Sequence, residues 1–437
     1  VLIVGLALHN LAMALLHGAG VTGVALDVVA AWKEALLLVG LVAAVVAVGA
    51  VPRLLWPDRL ALAYAVVVVA YLIVPQSWLG GEATARGELL ALRHHLLAVG
   101  AYALGRLVPL TPAWWRRVGL AIVAVACGVA VLGLVDVYLV PLQWWRDSGV
   151  PGWFGDQLGL VYRCLSGLPE NWILNTGDEQ EPLRRLVSTL LSPLATAYLL
   201  VVALLLLAAA RPRRWTIAAA AVAYYGLLWT HTRAAFIALA LGLVVLAVLR
   251  RNWRPAGLGL GSLAVSVAFV AAFPAIGPTT SYTAPELICL RENAAAVGGE
   301  VDEDPLTGDD ASTRSHLRNL RDGLETVLRH PQGYGLGNAG VVASRTGVAI
   351  RAGESTYTEL GVDAGILGLA ALVGWLGTLL AALRRRSPWL TASLAAVAVI
   401  GLQTDVLGVH WIAVVVFALS GAALRLSPGD PPPEDAV

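Results

Sequence analysis

Lys33 and Glu34, the trio Arg93, His94 and His95, Asp136, the tetrad Thr230-His231-Thr232-Arg233, Glu359 and Asp363, and Asp405 and His410 all stand near the ends of long apolar runs. Elsewhere those runs are almost purely aliphatic. An ionisable side chain inside lipid costs a few kcal/mol, about 2.5–3.5 on insertion scales, so a gathered set needs a shared reason. Arginine offers a planar fork that binds phosphate oxygens in pairs and stays charged when desolvated. Histidine and carboxylates beside it can give or take a proton. Taken singly, such residues often only snorkel or pair at helix ends. Taken together, they suit a polar chamber at one membrane face, receiving an anionic headgroup that rides on a lipid tail.

The elements that would hold these residues follow from composition. Of 437 residues, 58% are hydrophobic and 14% charged, and mean hydropathy is +0.74, too apolar for a soluble domain to cover its own surface. Runs long enough to cross hydrocarbon, which takes about 20 residues, lie at 1–16, 24–50, 60–75, 88–109, 117–141, 187–210, 215–230, 234–250, 257–273, 356–382, 388–406 and 409–426. Barrel strands would be half as long and would alternate, so the expected fold is all-α, polytopic, with about twelve transmembrane helices. Residues 1–427 read as a single integral membrane domain and 428–437 as a disordered, Pro-rich cytoplasmic tail. The chain opens inside an apolar run with its single Met at position 13, so the initiator is expected upstream.

Short basic connections give the orientation. Arg53 and Arg59, Arg106 with Arg116 and Arg117, Arg211 with Arg213 and Arg214, Arg250 with Arg251 and Arg254, and Arg384 to Arg386 fill every second connection, which the positive-inside rule places in the cytoplasm. Two long loops, about 142–186 and 274–355, then lie outside. The first is rich in Trp. The second carries an acidic stretch, Glu300, Asp302, Glu303, Asp304, Asp309 and Asp310, followed by an amphipathic helix over 312–330. Leu317, Leu320, Leu324, Val327 and Leu328 form its apolar stripe, with Arg314, Arg318 and Arg321 on the adjoining face. Cys164 and Cys289 fall in the two outer loops, where a disulfide can persist, whereas Cys127 lies within a span.

Several chemistries are excluded. A net charge of +1 leaves no basic excess for nucleic acid. The acidic stretch lacks the ordered spacing of a calcium loop, and no metal-type His and Cys set, nucleotide loop or nucleophile elbow is present, so neither metal nor cofactor is expected. A transporter is not excluded but is disfavoured, since it would place its charges near the midplane, commonly with repeats.

Four stretches, in order, resemble the O-antigen ligase and O-antigen polymerase superfamily of C-type membrane glycosyltransferases. They are Arg185-Leu-Val-Ser-Thr-Leu-Leu-Ser-Pro193, Thr232-Arg233-Ala-Ala235, the loop helix from Arg314 ending in His330-Pro331-Gln-Gly333-Tyr-Gly335-Leu-Gly337-Asn338, and Glu354-Ser355-Thr-Tyr357 leading into the next span. The resemblance implies a glycan carried on undecaprenyl diphosphate, a glycan or lipid-linked acceptor, and a bacterial inner-membrane enzyme whose site faces the periplasm or exterior. It implies diphosphate binding by Arg185, Arg233 and Arg314 or Arg318. Single displacement without a metal would invert the anomeric centre. Glu354 is the expected base and His231 its rival. Arg93, His94, Tyr357, Asp405 and His410 are expected contacts of acceptor or glycan, although the two adjacent histidines are equally readable as structural hydrogen-bonders. Ligases of the family place a His-Asn pair where this chain has Glu354-Ser355, which tilts the expectation to a polymerase over a ligase; a lipid-linked glycan transporter is the alternative of another class.

Overall fold

The computed structural model describes residues 1–48, 52–174, 181–297 and 311–426, with the side chains of 48, 293–297 and 311–313 excepted. The acidic stretch over 300–310 and the expected tail 428–437 lie outside these residues. Each long apolar run becomes helix. In order they are α1 (Leu2–Gly18), α2 (Gly23–Ala30), α3 (Trp32–Val48), α4 (Trp56–Ile73), the one-turn α5 (Gln76–Leu79), α6 (Ala85–Leu107) and α7 (Pro112–Leu139). After the short α8 (Leu142–Arg146) and α9 (Val150–Gly152) come α10 (Pro193–Ala209), α11 (Arg214–Trp229), α12 (Arg233–Arg250) and α13 (Arg254–Ile276). The second long loop holds α14 (Ala284–Val297), α15 (Ala311–Arg329) and α16 (Gly340–Thr346). The chain then returns through α17 (Thr356–Leu383) and α18 (Pro388–Ile400), and a π-helical turn Ile412–Val416 runs into α19 (Phe417–Ala423).

Local chemistry sets the helix starts. Thr84, Thr111 and Ser192 each accept a bond from the backbone N–H three residues on, and prolines 112 and 193 occupy first-turn positions where no N–H is needed. Proline at 193 also explains why helix begins there although the apolar run starts at 187. The run 24–50 divides at Ala31, and its two helices meet at a bend of 41°. Among the described residues, five helices are long and apolar enough to cross a membrane, α4, α7, α12, α13 and α17, or six if the bent pair is one span. Four shorter apolar helices, α1, α10, α18 and Ile412–Ala423, accompany them. The chain is an all-α, multi-pass membrane protein. Helix α10 is apolar all round and buried over nearly its whole length, as a central helix must be.

The Arg-rich connections meet at one end of the bundle. Arg106 pairs with Asp58 at 2.8 Å, Arg425 donates to the carbonyls of Arg106 and Leu107, Arg386 to that of Leu426, and Arg250 to that of Ala209. The two long loops meet at the other end, where the expected disulfide is present: Cys164 and Cys289 are bridged, with Cα atoms 5.2 Å apart. Glu286 reinforces this tie, taking Arg146 at 2.7 Å and the Ser166 hydroxyl at 2.6 Å. Two two-residue strands, Ile173–Leu174 and Leu183–Arg184, pair antiparallel in the first loop, with Ile173 opposite Arg184.

Helix α17 is broken at Ala364 and Gly365, where Gly365 has φ +63°, a conformation that suits glycine. The break would strand the carbonyl of Val362 and the N–H of Ile366, each costly if unmet in the interior. The segment after α15 supplies both partners: Tyr334 N–H donates to Val362 at 2.7 Å and the Pro331 carbonyl accepts from Ile366 at 2.8 Å. The segment that follows α15 thereby completes the next helix as well.

Candidate functional site

A cavity of about 740 Å³ opens at the long-loop end. Its lining carries groups of both charges. Lys33, Arg86, Arg93 and Arg345 come from α3, α6 and α16, while Glu354, Glu359 and Asp405 come from the start of α17 and the turn 401–408. His9, His94 and His410 also border the space. Arg86, Leu90, Arg93, His94 and Leu97 line it as one face of α6, as spacings of three and four residues dictate.

The cations are tied down sparingly. Arg93 forms an ion pair with Glu34 at 2.8 Å, and Lys33 lies 3.5 Å from the same carboxylate. Lys33 is 1% exposed and also donates to the Ala30 carbonyl at 2.8 Å, with His9 Nε2 3.3 Å away. Arg345 gives its Nε proton to the Leu158 carbonyl at 2.8 Å. Burial brings its guanidinium down to about 10, and Arg93 and Arg86 push the same way. It stays charged at neutral pH.

Among the acids, Asp405 meets His94 at 3.2 Å. Glu359 packs directly on the backbone of Gly340, whose φ is +53°; a Cβ there would stand 2.0 Å from the carboxylate oxygen. Glu354 sits in a left-handed conformation, φ +67°, and its Oε2 lies 2.5 Å from Nδ1 of His316 on α15. That hydrogen bond holds the Glu354 carboxyl below the usual range, and a bond from Asn319 adds to it. Asp363 and His95, though close in sequence to these groups, form a buried structural network. His95 bridges Asp363 and the Tyr64 hydroxyl at 3.2 Å each, and Asp363 also accepts the Asn338 N–H.

Five of the expected residues therefore border one space: Arg93, His94, Glu354, Asp405 and His410. Others do not. Arg185 braces the 230–232 turn, donating to the carbonyls of Thr230 at 2.9 Å, Asn171 at 3.0 Å and His231 at 3.4 Å and to the Thr232 hydroxyl at 3.2 Å. Burial lowers its guanidinium to about 10, and neighbouring Arg233 pushes in the same direction. His231 is buried with its ring stacked on Phe273 at 4.6 Å. Arg233 opens α12 and is half-buried and engaged. This turn still adjoins the cavity, because Tyr198, beside Arg185, hydrogen-bonds Thr404 of the cavity lining. A smaller cavity of about 250 Å³ shares His9, Asn10, Tyr162 and His410 with the first and reaches Asn171. Arg314 and Arg318 are exposed on α15, whose stripe is only partly covered: Val327 is buried against Gly361, while Leu317 and Leu328 are more than 60% exposed. Tyr357 gives its hydroxyl to the Ala398 carbonyl at 2.8 Å, joining α17 to α18.

Sequence reading missed Arg86, Arg345, His9 and His316. Arg86 stands seven residues before Arg93 on the same helix face, a signal that was available. The contact of His316 with Glu354 spans 38 residues and carried none.

Residues 218–373 match the family model of the O-antigen ligases. Over this segment, less than half of its length, the chain is similar to the O-antigen ligases. Members of the superfamily are membrane glycosyltransferase-like enzymes that act on a lipid-linked glycan and an acceptor. The matched stretch holds the Arg233 turn, α15, Glu354 and the broken half of α17; it leaves out α6 and the turn 401–408, which complete the cavity. No curated protein matches the chain.

Proposed function

We propose that the protein is a polysaccharide polymerase of the bacterial inner membrane, moving glycan from undecaprenyl diphosphate to a sugar hydroxyl of an acceptor glycan on the extracytoplasmic side. One observation carries the reading: Glu354 borders the cavity whose Thr404 is joined through Tyr198 to Arg185 and Arg233. The carboxylate borders the cavity, and the two guanidiniums stand behind its wall, one residue removed from Thr404. The acceptor oxygen attacks the anomeric carbon as the bond to diphosphate breaks, the hydroxyl proton passes to Glu354, and the charge on the departing diphosphate is met by Arg233. Arg185 holds the turn that aims Arg233, and Arg314 and Arg318 flank His316 on the helix that reaches Glu354. Fixed guanidiniums neutralise a leaving diphosphate electrostatically, and a single displacement inverts the centre. The positive-inside rule supports the orientation, as does a disulfide at the cavity end, which fits an oxidising compartment.

A ligase is the second reading, favoured by His316: an imidazole on Glu354 stands close to where ligases of the family keep their own histidine. Purified protein given undecaprenyl-diphosphate repeat units should lengthen lipid-linked chains if it is a polymerase, and load a second acceptor if it is a ligase. Donor lipid recovered unmodified from every combination would indicate a transporter. Arg233→Lys keeps the charge and loses the fork, so transfer should fall by about a hundredfold. Glu354→Gln should nearly abolish turnover while donor binding persists. Near-normal turnover in Glu354→Gln, with loss in His231→Gln, would move the base to His231.

A further inference from the structure

The proposed reaction uses Glu354 and the Arg233 turn, and it leaves the cations of the cavity lining without a task. These are Lys33, Arg86, Arg93 and Arg345. Two carboxylates answer them. Glu34 is shared by Arg93 and Lys33, and Asp27 accepts the Gln157 amide at 2.7 Å while lying within electrostatic reach of Arg345. Among the described residues no carboxylate forms an ion pair with Arg86 or Arg345. Like charges held close in a half-enclosed space repel more strongly than in water, and Arg93 and Arg86 both act on Arg345, so an incoming anion would relieve that repulsion. Arg86 and Arg93 lie two turns apart on one face of α6, about 10 Å along the helix, which is the length of two sugar residues rather than of one phosphate.

We infer that Arg86, Arg93 and Arg345, backed by Lys33, form a binding site for an acidic sugar, a uronate or a similarly charged residue, within the glycan that the enzyme extends. The inference rests on the glycan-transfer reading and names its substrate class. Guanidinium forks fit carboxylate oxygens in pairs, and the polarity of the cavity would then orient the chain: its anionic group turned to α6 and α16, its free hydroxyl turned to Glu354.

The test uses the full-length protein in detergent and three probes: a galacturonic acid tetrasaccharide, its neutral methyl ester, and farnesyl diphosphate. The acid should bind at least tenfold more tightly than its ester, with affinity falling as salt rises. Arg86→Gln and Arg345→Gln should each weaken the acid about tenfold and leave the ester unchanged; having two variants guards against one that fails to fold. Equal binding of acid and ester, or unaltered binding in both folded variants, overturns the inference. So does displacement of the acid by farnesyl diphosphate together with loss of diphosphate affinity in the same variants, for the cations would then serve the lipid headgroup. Acid binding that survives in a protein which transfers no glycan from any donor supports the site and overturns the transferase reading instead.

Discussion

Helix α6 carries arginine at both ends, and the two ends treat it differently. At the last turn Arg106 donates to both oxygens of Asp58, at 2.8 and 3.0 Å, and Tyr102 adds its hydroxyl at 2.6 Å. The Leu55 N–H takes another position on the same carboxylate at 2.7 Å. Both partners are buried, at 9% and 8% side-chain exposure. At the first turns Arg86 has no carboxylate partner among the described residues, and Arg93 shares one with Lys33. The same residue type closes a structural network at one end and faces open space at the other. Charge alone therefore does not mark a site; the ratio of cations to their internal partners does.

The largest effect that would test this contrast is on stability. Arg106→Ala leaves Asp58 buried without its counter-charge and should cost about 3–5 kcal/mol in denaturant unfolding, whereas Arg86→Gln should change stability by less than about 0.5 kcal/mol. Comparable losses in the two variants would erase the distinction. Next in size, Cys164→Ser removes a bridge that spans 125 residues and should cost about 2–4 kcal/mol. Alkylation of both thiols in unfolded, non-reduced protein would show that the two long loops are not tied.

The smallest effect concerns pH. The His316 hydrogen bond holds Glu354 ionised below the usual carboxylate range, so its contribution to stability is present above that range and lost as pH falls through the lowered value. With Glu354 46% exposed and His316 32% exposed, solvent screening keeps that contribution within about 1 kcal/mol. Activity should report it more clearly. In His316→Gln the acid limb of the rate profile should move to higher pH; an unmoved limb would separate His316 from the base.

Helices and loops were legible in the sequence because each apolar run is long and bounded by proline, glycine or arginine, signals that act over a few residues. The one-sided gathering of ionisable groups was legible for the same reason; for Cys164 and Cys289 the sequence offered the two loops that hold them, and their 5.2 Å Cα separation came from the fold. The division of labour among arginines was not. Arg184 and Arg185 are adjacent, yet the first is buried against Asp136 at 3.1 Å and the second braces the 230–232 turn. Only the path of the first long loop decides that, and it is fixed by contacts with α7 and the turn before α12, about fifty residues away in either direction. Arg345 reaches the cavity from a short helix whose sequence, Gly340 to Thr346, has no apolar periodicity to announce it.

The break in α17 has a mechanical consequence. The backbone that bridges it, from Pro331 to Tyr334, is the direct continuation of α15, and α15 rests on the first half of α17 through Val327 against Gly361 and Gly323 against Thr358. With His316 bound to Glu354, these parts close a ring. Straightening α17 would require Val362 and Ile366 to exchange their present partners for each other, which expels the Pro331–Tyr334 segment and pulls on the helix that grips Glu354. The kink in α17 and the carboxylate at the cavity are therefore linked through one continuous stretch of chain, Pro331–Tyr334 and α15.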